Sequence, residues 1–307
     1  MRLALVTGIA LVTIAAWAAL AAGSPGHAGI VTPTVLDDFN DNSLNMAFWQ
    51  PQSVVGTGVT LAETNQRLEI DFAANASGSF FRGGTASACA LSGDFDLQVD
   101  YDLLVWPSGN GVRVGLLLSS LGTMSRIDDN SYSVNFGFVI TVVPTTDLTG
   151  KFRITRVGST FTGFYYSGGV WVSAGSGSAV LPNLMAMYLS SWSHDGYFGG
   201  QAAKVAFDNL ILNSGTLVCP LQGDVDCSGS VNSVDALKVL RNNAMLTVTQ
   251  TEPCPDVGSP LVHPFGDVDC SDAVNAVDAL KILRDSAGLV VAQTEPCVDI
   301  KQPLYSP

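Results

Sequence analysis

An internal repeat is the feature that most constrains how the last third of this chain can fold. Residues 223–241 read GDVDCSGSVNSVDALKVLR, and residues 266–284 read GDVDCSDAVNAVDALKILR. The same offset of 43 residues places one Gln-Thr-Glu-Pro-Cys segment, 250–254, onto a second, 293–297. A match of this length indicates duplication of one structural unit. The sequence therefore predicts two copies of the same small unit between residues 223 and 300.

Each copy opens with oxygen-bearing residues at the spacing of an EF-hand calcium loop, positions 1, 3, 5, 7, 9 and 12. Calcium prefers six to eight oxygen ligands, and position 7 supplies its backbone carbonyl whatever its side chain. The pattern therefore predicts two calcium ions, one in each loop. The predicted ligands are Asp224, Asp226, Ser228, Ser230, Asn232 and Asp235 in the first loop, and Asp267, Asp269, Ser271, Ala273, Asn275 and Asp278 in the second.

The two loops differ at position 6, where Gly229 of the first copy is replaced by Asp272. That position needs a positive φ, which Asp tolerates better than most other residues. We therefore expect the second site to bind calcium more weakly than the first. The alternative is a pair of Asp-rich turns that cap two helices without metal.

A helix is predicted after each loop, because apolar residues recur there at helical spacing. The aspartate at position 12 also falls at the start of the helix, where a carboxylate is favourable. The apolar residues are Val234, Leu237 and Leu240 in the first copy, and Val277, Leu280 and Leu283 in the second.

One calcium loop followed by one helix, occurring twice, resembles the dockerin domain, and the resemblance covers nearly all of residues 223–300. It implies two antiparallel helices related by a pseudo-twofold axis and docking onto a cohesin domain. In that family, recognition depends on loop positions 10 and 11 and on basic residues along the helix. The partner-binding residues implied here are Ser233, Val234, Lys238 and Arg241, and then Ala276, Val277, Lys281 and Arg284.

Two features depart from that family: a longer repeat offset and a cysteine at loop position 4, Cys227 or Cys270. Each lies 27 residues before a second cysteine, so equivalent disulfides Cys227–Cys254 and Cys270–Cys297 are the natural inference for an exported chain. Elimination would then pair Cys89 with Cys219, although spacing alone does not decide that pairing.

Residues 31–213 predict a different kind of domain, built from strands. Short alternating runs rich in Val, Phe, Tyr and Thr are broken by Gly, Asn, Asp and Ser. The turn at Ser167-Gly168-Gly169 is typical of a β-hairpin. The pattern predicts a mainly β chain with a jelly-roll β-sandwich, joined by a linker at 214–222 to a small α-helical module.

The sandwich resembles the concanavalin A-like lectin and glucanase superfamily, through an opening VLDDFNDNSLNMAFW and a closing VAFDNLIL. The glucanases of that superfamily carry two glutamates on one strand, as E-x-D-x-x-E or E-x-D-x-E. Here the domain has only Glu63 and Glu69, and the acidic strand 94–102 has no glutamate. The sequence therefore favours a non-catalytic protein. Trp192 and Tyr197 are candidate ligand-binding aromatics, with burial in the core as the alternative.

The remaining indications concern location and partners. A net charge of −13 argues against binding nucleic acid, whose phosphates need a basic surface. Residues 1–28 resemble a cleaved signal peptide, with an uncleaved anchor as the alternative, and no second apolar run could span a membrane. We expect a secreted protein that binds a carbohydrate or cell-surface ligand and docks to a cohesin-type scaffold through calcium. The alternatives are a glycoside hydrolase or lyase with unrecognised catalytic residues, or a structural surface protein.

Overall fold

A computed structural model describes residues 27–30, 33–50, 53–118, 122–127, 130–137, 139–178, 184–193, 200–250, 254–259, 263–293 and 297–304. Tyr197 and positions 1–26 of the predicted signal peptide lie outside the described residues. The strands are β1 (His27–Ile30), β2 (Thr34–Asp37), β3 (Ser53–Thr64), β4 (Arg67–Val105), β5 (Val112–Leu118), β6 (Gly122–Ile127), β7 (Ser131–Phe136), β8 (Val139–Pro144), β9 (Thr149–Val157), β10 (Thr160–Ser167), β11 (Val170–Ser178), β12 (Leu184–Ser193) and β13 (Ala203–Val218). The helices are α1 (Ser233–Asn243) and α2 (Ala276–Ser286). The prediction of a mainly β chain is confirmed.

The strands form two layers because the long β4 bends and pairs with different neighbours along its length. In the first layer, β13 pairs with both the 68–72 and the 96–105 limbs of β4, and β9, β10 and β11 follow in order. In the second layer, the 82–92 limb of β4 pairs with β12, which is followed by β5, β6, β7 and β8. The result is a two-layer sandwich of jelly-roll type.

The core lies between these layers, where alternate side chains of both face inward. The Tyr132 ring of the second layer meets the Phe152 ring of the first edge-on, at 6.4 Å between centroids. The hydroxyl of Tyr132 lies 2.8 Å from that of Tyr101, so the one polar atom of each ring is paired within the core. Large buried members of this core include Leu97, Val99, Ile154, Leu116, Met124, Val134, Met187 and Leu189.

Turn glycines set two of the strand boundaries. Gly168 and Gly169 both have positive φ between β10 and β11, which confirms the predicted hairpin. Residues 132–142 form one apolar-rich run in the sequence, but the chain reverses near Gly137, whose φ is +66°. The run therefore forms β7 and β8, which pair with each other.

The predicted linker at 214–222 is absent as a separate element of the described chain. β13 continues through Val218 and pairs with β1 along residues 215–218. Leu221 and Gln222 are buried, and the amide of Gln222 donates to the carbonyl of Gln302 at 2.8 Å. Backbone pairing thus orders a segment whose Ser-Gly content is typical of a linker. Cys219 is disulfide-bonded to Cys89 of the sandwich core, the pairing that elimination suggested.

The C-terminal module has its own small core, where α1 contacts α2. The buried helix residues are Ala236 and Val239 of α1, with Ala279 and Ile282 of α2. The apolar residues predicted from helical spacing are instead 39–56% exposed, because they lie on the faces turned away from this contact. Among the described residues, no helix is both long and apolar enough to cross a membrane.

Candidate functional site

The three carboxylates of each predicted calcium loop converge. Asp224, Asp226 and Asp235 each place an oxygen within 4.8 Å of the others. The equivalent oxygens of Asp267, Asp269 and Asp278 meet the same limit. Residues 11 positions apart thus meet at one point in both copies, and carboxylate oxygens are the ligands that calcium prefers.

Backbone amides orient the first carboxylate of each loop. Asp224 accepts hydrogen bonds from the amides of Ser228 at 3.0 Å and Gly229 at 2.8 Å. In the second loop, Asp267 accepts from the amides of Ser271 at 3.1 Å and Asp272 at 2.7 Å. These bonds bend the chain around the carboxylate, so the loop conformation and the position of this ligand are fixed together.

The last carboxylate of each loop is fixed by the start of the helix. Asn232 caps α1 by accepting from the amide of Val234 at 2.8 Å, and Asp235 accepts in return from the amide of Asn232 at 2.8 Å. This reciprocal capping box recurs in α2 with Asn275 and Asp278. Asp235 and Asp278 are fully buried. The helix start therefore holds the position-12 carboxylate against the loop.

The middle of each loop turns tightly. Gly229 has φ +82° and Asp272 has φ +64°, so the predicted positive φ at position 6 is confirmed in both copies. The position-7 carbonyl of Ser230 accepts from the side chains of Ser228 at 3.3 Å and Asn232 at 2.9 Å. The carbonyl of Ala273 has the same two kinds of partner in the second loop. In this structure the predicted ligands Ser228 and Asn232 therefore donate hydrogen bonds within the loop, and Oδ1 of Asn232 caps α1.

Burial and mutual repulsion shift the acidities of the loops. Burial, followed by the nearby charge of Asp235, raises the pKa of Asp224 to about 6, and burial raises the pKa of Asp278 to about 6. Burial also acts on Asp226, but hydrogen bonds from the side chain and amide of Ser228 outweigh it and lower the pKa of that carboxyl. Each loop thus concentrates negative charge that a divalent cation would relieve.

We expect calcium affinity to fall by about tenfold between pH 7 and pH 5. The ion needs ionised carboxylates, whereas Asp224 and Asp278 hold a proton below about pH 6. Lower pH therefore makes the ion displace protons and weakens binding. Calorimetric titration of calcium at both pH values measures the change, and equal affinities at pH 5 and pH 7 would contradict it.

The segment after each helix is tied back to its loop in the same way in both copies. The disulfides Cys227–Cys254 and Cys270–Cys297 are present, as the equal spacing predicts. The side-chain amide of Gln250 donates to the carbonyl of Val225 at 2.6 Å, and Gln293 donates to the carbonyl of Val268 at the same distance. The role of these glutamines was not predicted, although their repetition at one offset is a signal that the sequence contains.

The residues implied in partner binding lie along one exposed side of each helix. Ser233, Ala276, Val234 and Val277 are exposed. The basic residues are hydrogen-bonded within the module: Lys238 to Gln250, Lys281 to Gln293 at 2.7 Å, Arg241 to the carbonyl of Thr247 at 3.0 Å, and Arg284 to that of Val290 at 3.1 Å. The cationic groups of these residues therefore bind the segment that follows each helix. A partner that docked on this side would contact them together with the exposed apolar side chains.

The sandwich offers no paired glutamates of the glucanase kind among its described residues. Glu69 contacts Arg67 at 2.8 Å and Lys204 at 2.6 Å. These partners outweigh the effect of burial and lower the pKa of Glu69, which suits an ionised partner better than an acid catalyst. For Glu63, burial and then Asp41 raise the pKa to about 7. The two glutamates lie in different strands, and both carboxylate oxygens of Glu63 are buried without a hydrogen-bond partner.

The candidate ligand-binding residue Trp192 lies on the outer face of the second layer. It is half-buried near the end of β12, between Arg82 of β4 and Arg113 of β5. The inward-facing neighbours of Trp192 in β12 are Ser191 and Ser193, which are buried. Trp192 is therefore a surface residue of the sheet and not a member of the sandwich core.

Comparison with known proteins finds no matching family and no matching curated protein. Solved structures with a similar fold include a glycosyl hydrolase family protein from Mycobacterium fortuitum, at 12% identity over 58% of this chain and 99% of that one, with a TM-score of 0.44. An immunostimulatory antigen and pseudo β-1,3-glucanase of Mycobacterium tuberculosis matches at 12% identity over 61% and 99%, with a TM-score of 0.44. LamAcat from Zobellia galactanivorans matches at 10% over 59% and 98%, again with 0.44. Because these scores are low, the sandwich is assigned from its own strand pairing.

Proposed function

We propose that this is a secreted, non-catalytic protein in which a calcium-stabilised, dockerin-like module attaches a ligand-binding sandwich to a cohesin-type domain. The observation that carries the proposal is the convergence of three carboxylates in each of two equivalent loops. Asp-rich turns that only cap the helices do not explain these two identical arrangements, because each arrangement brings three negatively charged carboxylates close together.

Calcium would couple the folding of this module to its function. Without the ion, the carboxylates of one loop repel each other across less than 4.8 Å. An ion that binds the folded loops and not the unfolded chain stabilises the module by mass action. The module needs such support because its core is small and its helices have only 11 residues each.

The exposed apolar residues of α1 and α2 supply the proposed docking surface. Leu237 and Leu280 are 54% and 56% exposed at equivalent positions of the two helices. A contiguous stripe of exposed apolar residues along a helix is typical of an interaction site. The others in this surface are Val234, Leu240, Val277 and Leu283.

The sandwich would bind a glycan or another extracellular surface. The alternative is a glycoside hydrolase or lyase with unrecognised catalytic residues. A second alternative is a structural surface protein, in which the calcium module would be only a stabilising tail. Release of reducing sugars from polysaccharides would identify an enzyme.

The docking proposal is tested by surface plasmon resonance against a panel of purified cohesin domains, in millimolar calcium and in EDTA. We expect binding in calcium only, and a loss of at least about tenfold in a Leu237→Asp, Leu280→Asp double variant, because each change places a charge in the interface. Leu289→Asp is the matched control, since Leu289 is 57% exposed and lies outside both helices. Calcium-independent binding, no binding, or equal losses in both variants would contradict the proposal.

A further inference from the structure

Two arginines flank Trp192 on the outer face of the second layer. We propose that this face binds an anionic glycan, a sugar chain that carries carboxylate or sulfate groups, and this inference rests on the proposed glycan-binding role of the sandwich. Trp192 is paired in register with Arg82 on one side and with Arg113 on the other. Residues paired in this way point to the same face of a sheet, so the three side chains form one row.

The next row on the same face is made of small residues. Ser190 is paired with Gly84 and with Gly115. A Cβ at Gly84 would lie 2.7 Å from the Ser190 hydroxyl, and one at Gly115 would lie 2.8 Å from the carbonyl of Met124. No larger side chain fits at these positions without movement of the sheet. The residues of this second row are buried, and Arg82 Nε donates to the Ser190 hydroxyl at 3.3 Å, so the Arg82 side chain reaches from its own row to the next.

The charge of this row differs from that of the opposite outer face. On the first layer, Lys151 contacts Asp100 at 2.7 Å, Lys204 contacts Glu69 at 2.6 Å, and Arg153 contacts Asp96. Those cations are neutralised across neighbouring strands. Within the part of the chain that the structure describes, neither Arg82 nor Arg113 has an ion pair, and Arg113 Nε is buried without a hydrogen-bond partner.

The chemistry of these side chains selects the ligand class. A guanidinium group binds carboxylate or sulfate oxygens through two parallel N–H donors, whereas a neutral sugar offers it only hydroxyls. An indole ring provides an apolar face with a polar edge, on which a sugar ring can lie. This cationic row is complementary to the charge of an anionic sugar chain.

The test is calorimetric titration of the full-length protein, in millimolar calcium, with three oligosaccharides of equal length: an oligo-uronate, a sulfated oligosaccharide and a neutral β-glucan. We expect at least one anionic ligand to bind about tenfold more tightly than the neutral one, with an affinity that falls as salt rises. An Arg82→Gln, Arg113→Gln variant should lose that preference. Lys151→Gln, which removes one charge from the opposite face, should keep it.

The outcomes separate this inference from the proposed function. Equal or tighter binding of the neutral glucan would overturn the inference and leave a glycan-binding sandwich. Binding of none of the three would overturn the inference and count against a glycan as the ligand of the sandwich, whereas the calcium-dependent docking is decided by its own test. Anionic binding that is unchanged in the double variant would also overturn the inference, because the arginines would then have no part in it. If the double variant unfolds, Arg113→Lys gives a second test, because it keeps the charge but loses the paired donors and should weaken anionic binding.

Discussion

Replacing Asp235 with asparagine should lower the calcium affinity of the first loop by about 100-fold, which corresponds to about 2.7 kcal/mol. Asp235 is fully buried and is one of three carboxylates that meet within 4.8 Å. It also accepts the amide hydrogen bonds of Asn232 and Asp226. The substitution removes one carboxylate charge from the proposed site and weakens the bonds that hold the loop against α1.

Calorimetric titration of the full-length variant measures this loss. Asp256→Asn is the matched control, because Asp256 is exposed and belongs to neither loop. The second loop should keep its affinity in the Asp235 variant, since Asp267, Asp269 and Asp278 are unchanged. An unchanged number of bound ions with unchanged affinities would contradict the ligand assignment.

Removing the Cys89–Cys219 disulfide with two serines should lower the free energy of unfolding of the sandwich by about 5 kcal/mol. This bond closes a loop with a sequence separation of 130, the longest of the three. The loss of this cross-link gives the unfolded chain more conformational freedom. Cys89 is also completely buried, so a serine there places a hydroxyl in the core.

The matched control is the double serine variant of Cys227 and Cys254, whose sequence separation is only 27. It should destabilise the C-terminal module by about 3 to 4 kcal/mol and leave the sandwich transition in place. Urea unfolding followed by tryptophan fluorescence reports on the sandwich, because all the described tryptophans lie there. If the urea midpoint of the sandwich shifted equally in both variants, the stabilising role assigned to the Cys89–Cys219 disulfide would be contradicted.

The loops were predictable from the sequence because their geometry is local. The capping of α1 by Asn232, the positive φ of Asp272 and the inward position of Asp235 all follow from residues within one loop and the first turn of a helix. Duplication strengthened each prediction, because two copies repeat the same signal. The weaker calcium affinity expected of the second loop stays a prediction.

The face that each helix buries could not be predicted in the same way. Val234, Leu237 and Leu240 are the more hydrophobic set, yet Ala236 and Val239 form the contact between the helices. A small residue such as Ala236 lets two short helices approach closely, and this packing leaves the leucines on the other side of each helix exposed. Periodicity shows that an apolar stripe exists, but not which partner covers it.

In the sandwich, the sequence pattern predicts where strands lie but not which strands pair. Alternation of apolar and polar residues identified most strands. However, β4 pairs with β3, β12, β13 and β9 at different points along its length. Pairing between strands that are distant in sequence cannot be predicted from the local sequence of either strand. For the same reason, the row formed by Arg82, Trp192 and Arg113 was not foreseen. Its members lie more than 30 residues apart, and only the register brings them together.

The most direct test of the central claim is the number of calcium ions that one full-length chain binds. Native mass spectrometry and calorimetry of the metal-stripped protein, with an Asp235→Asn, Asp278→Asn variant beside it, would give this number. We expect two ions on the native chain, none bound tightly by the variant, and a gain of helical circular dichroism on binding. No ion on the native chain at millimolar calcium, or two on the variant, would contradict the account.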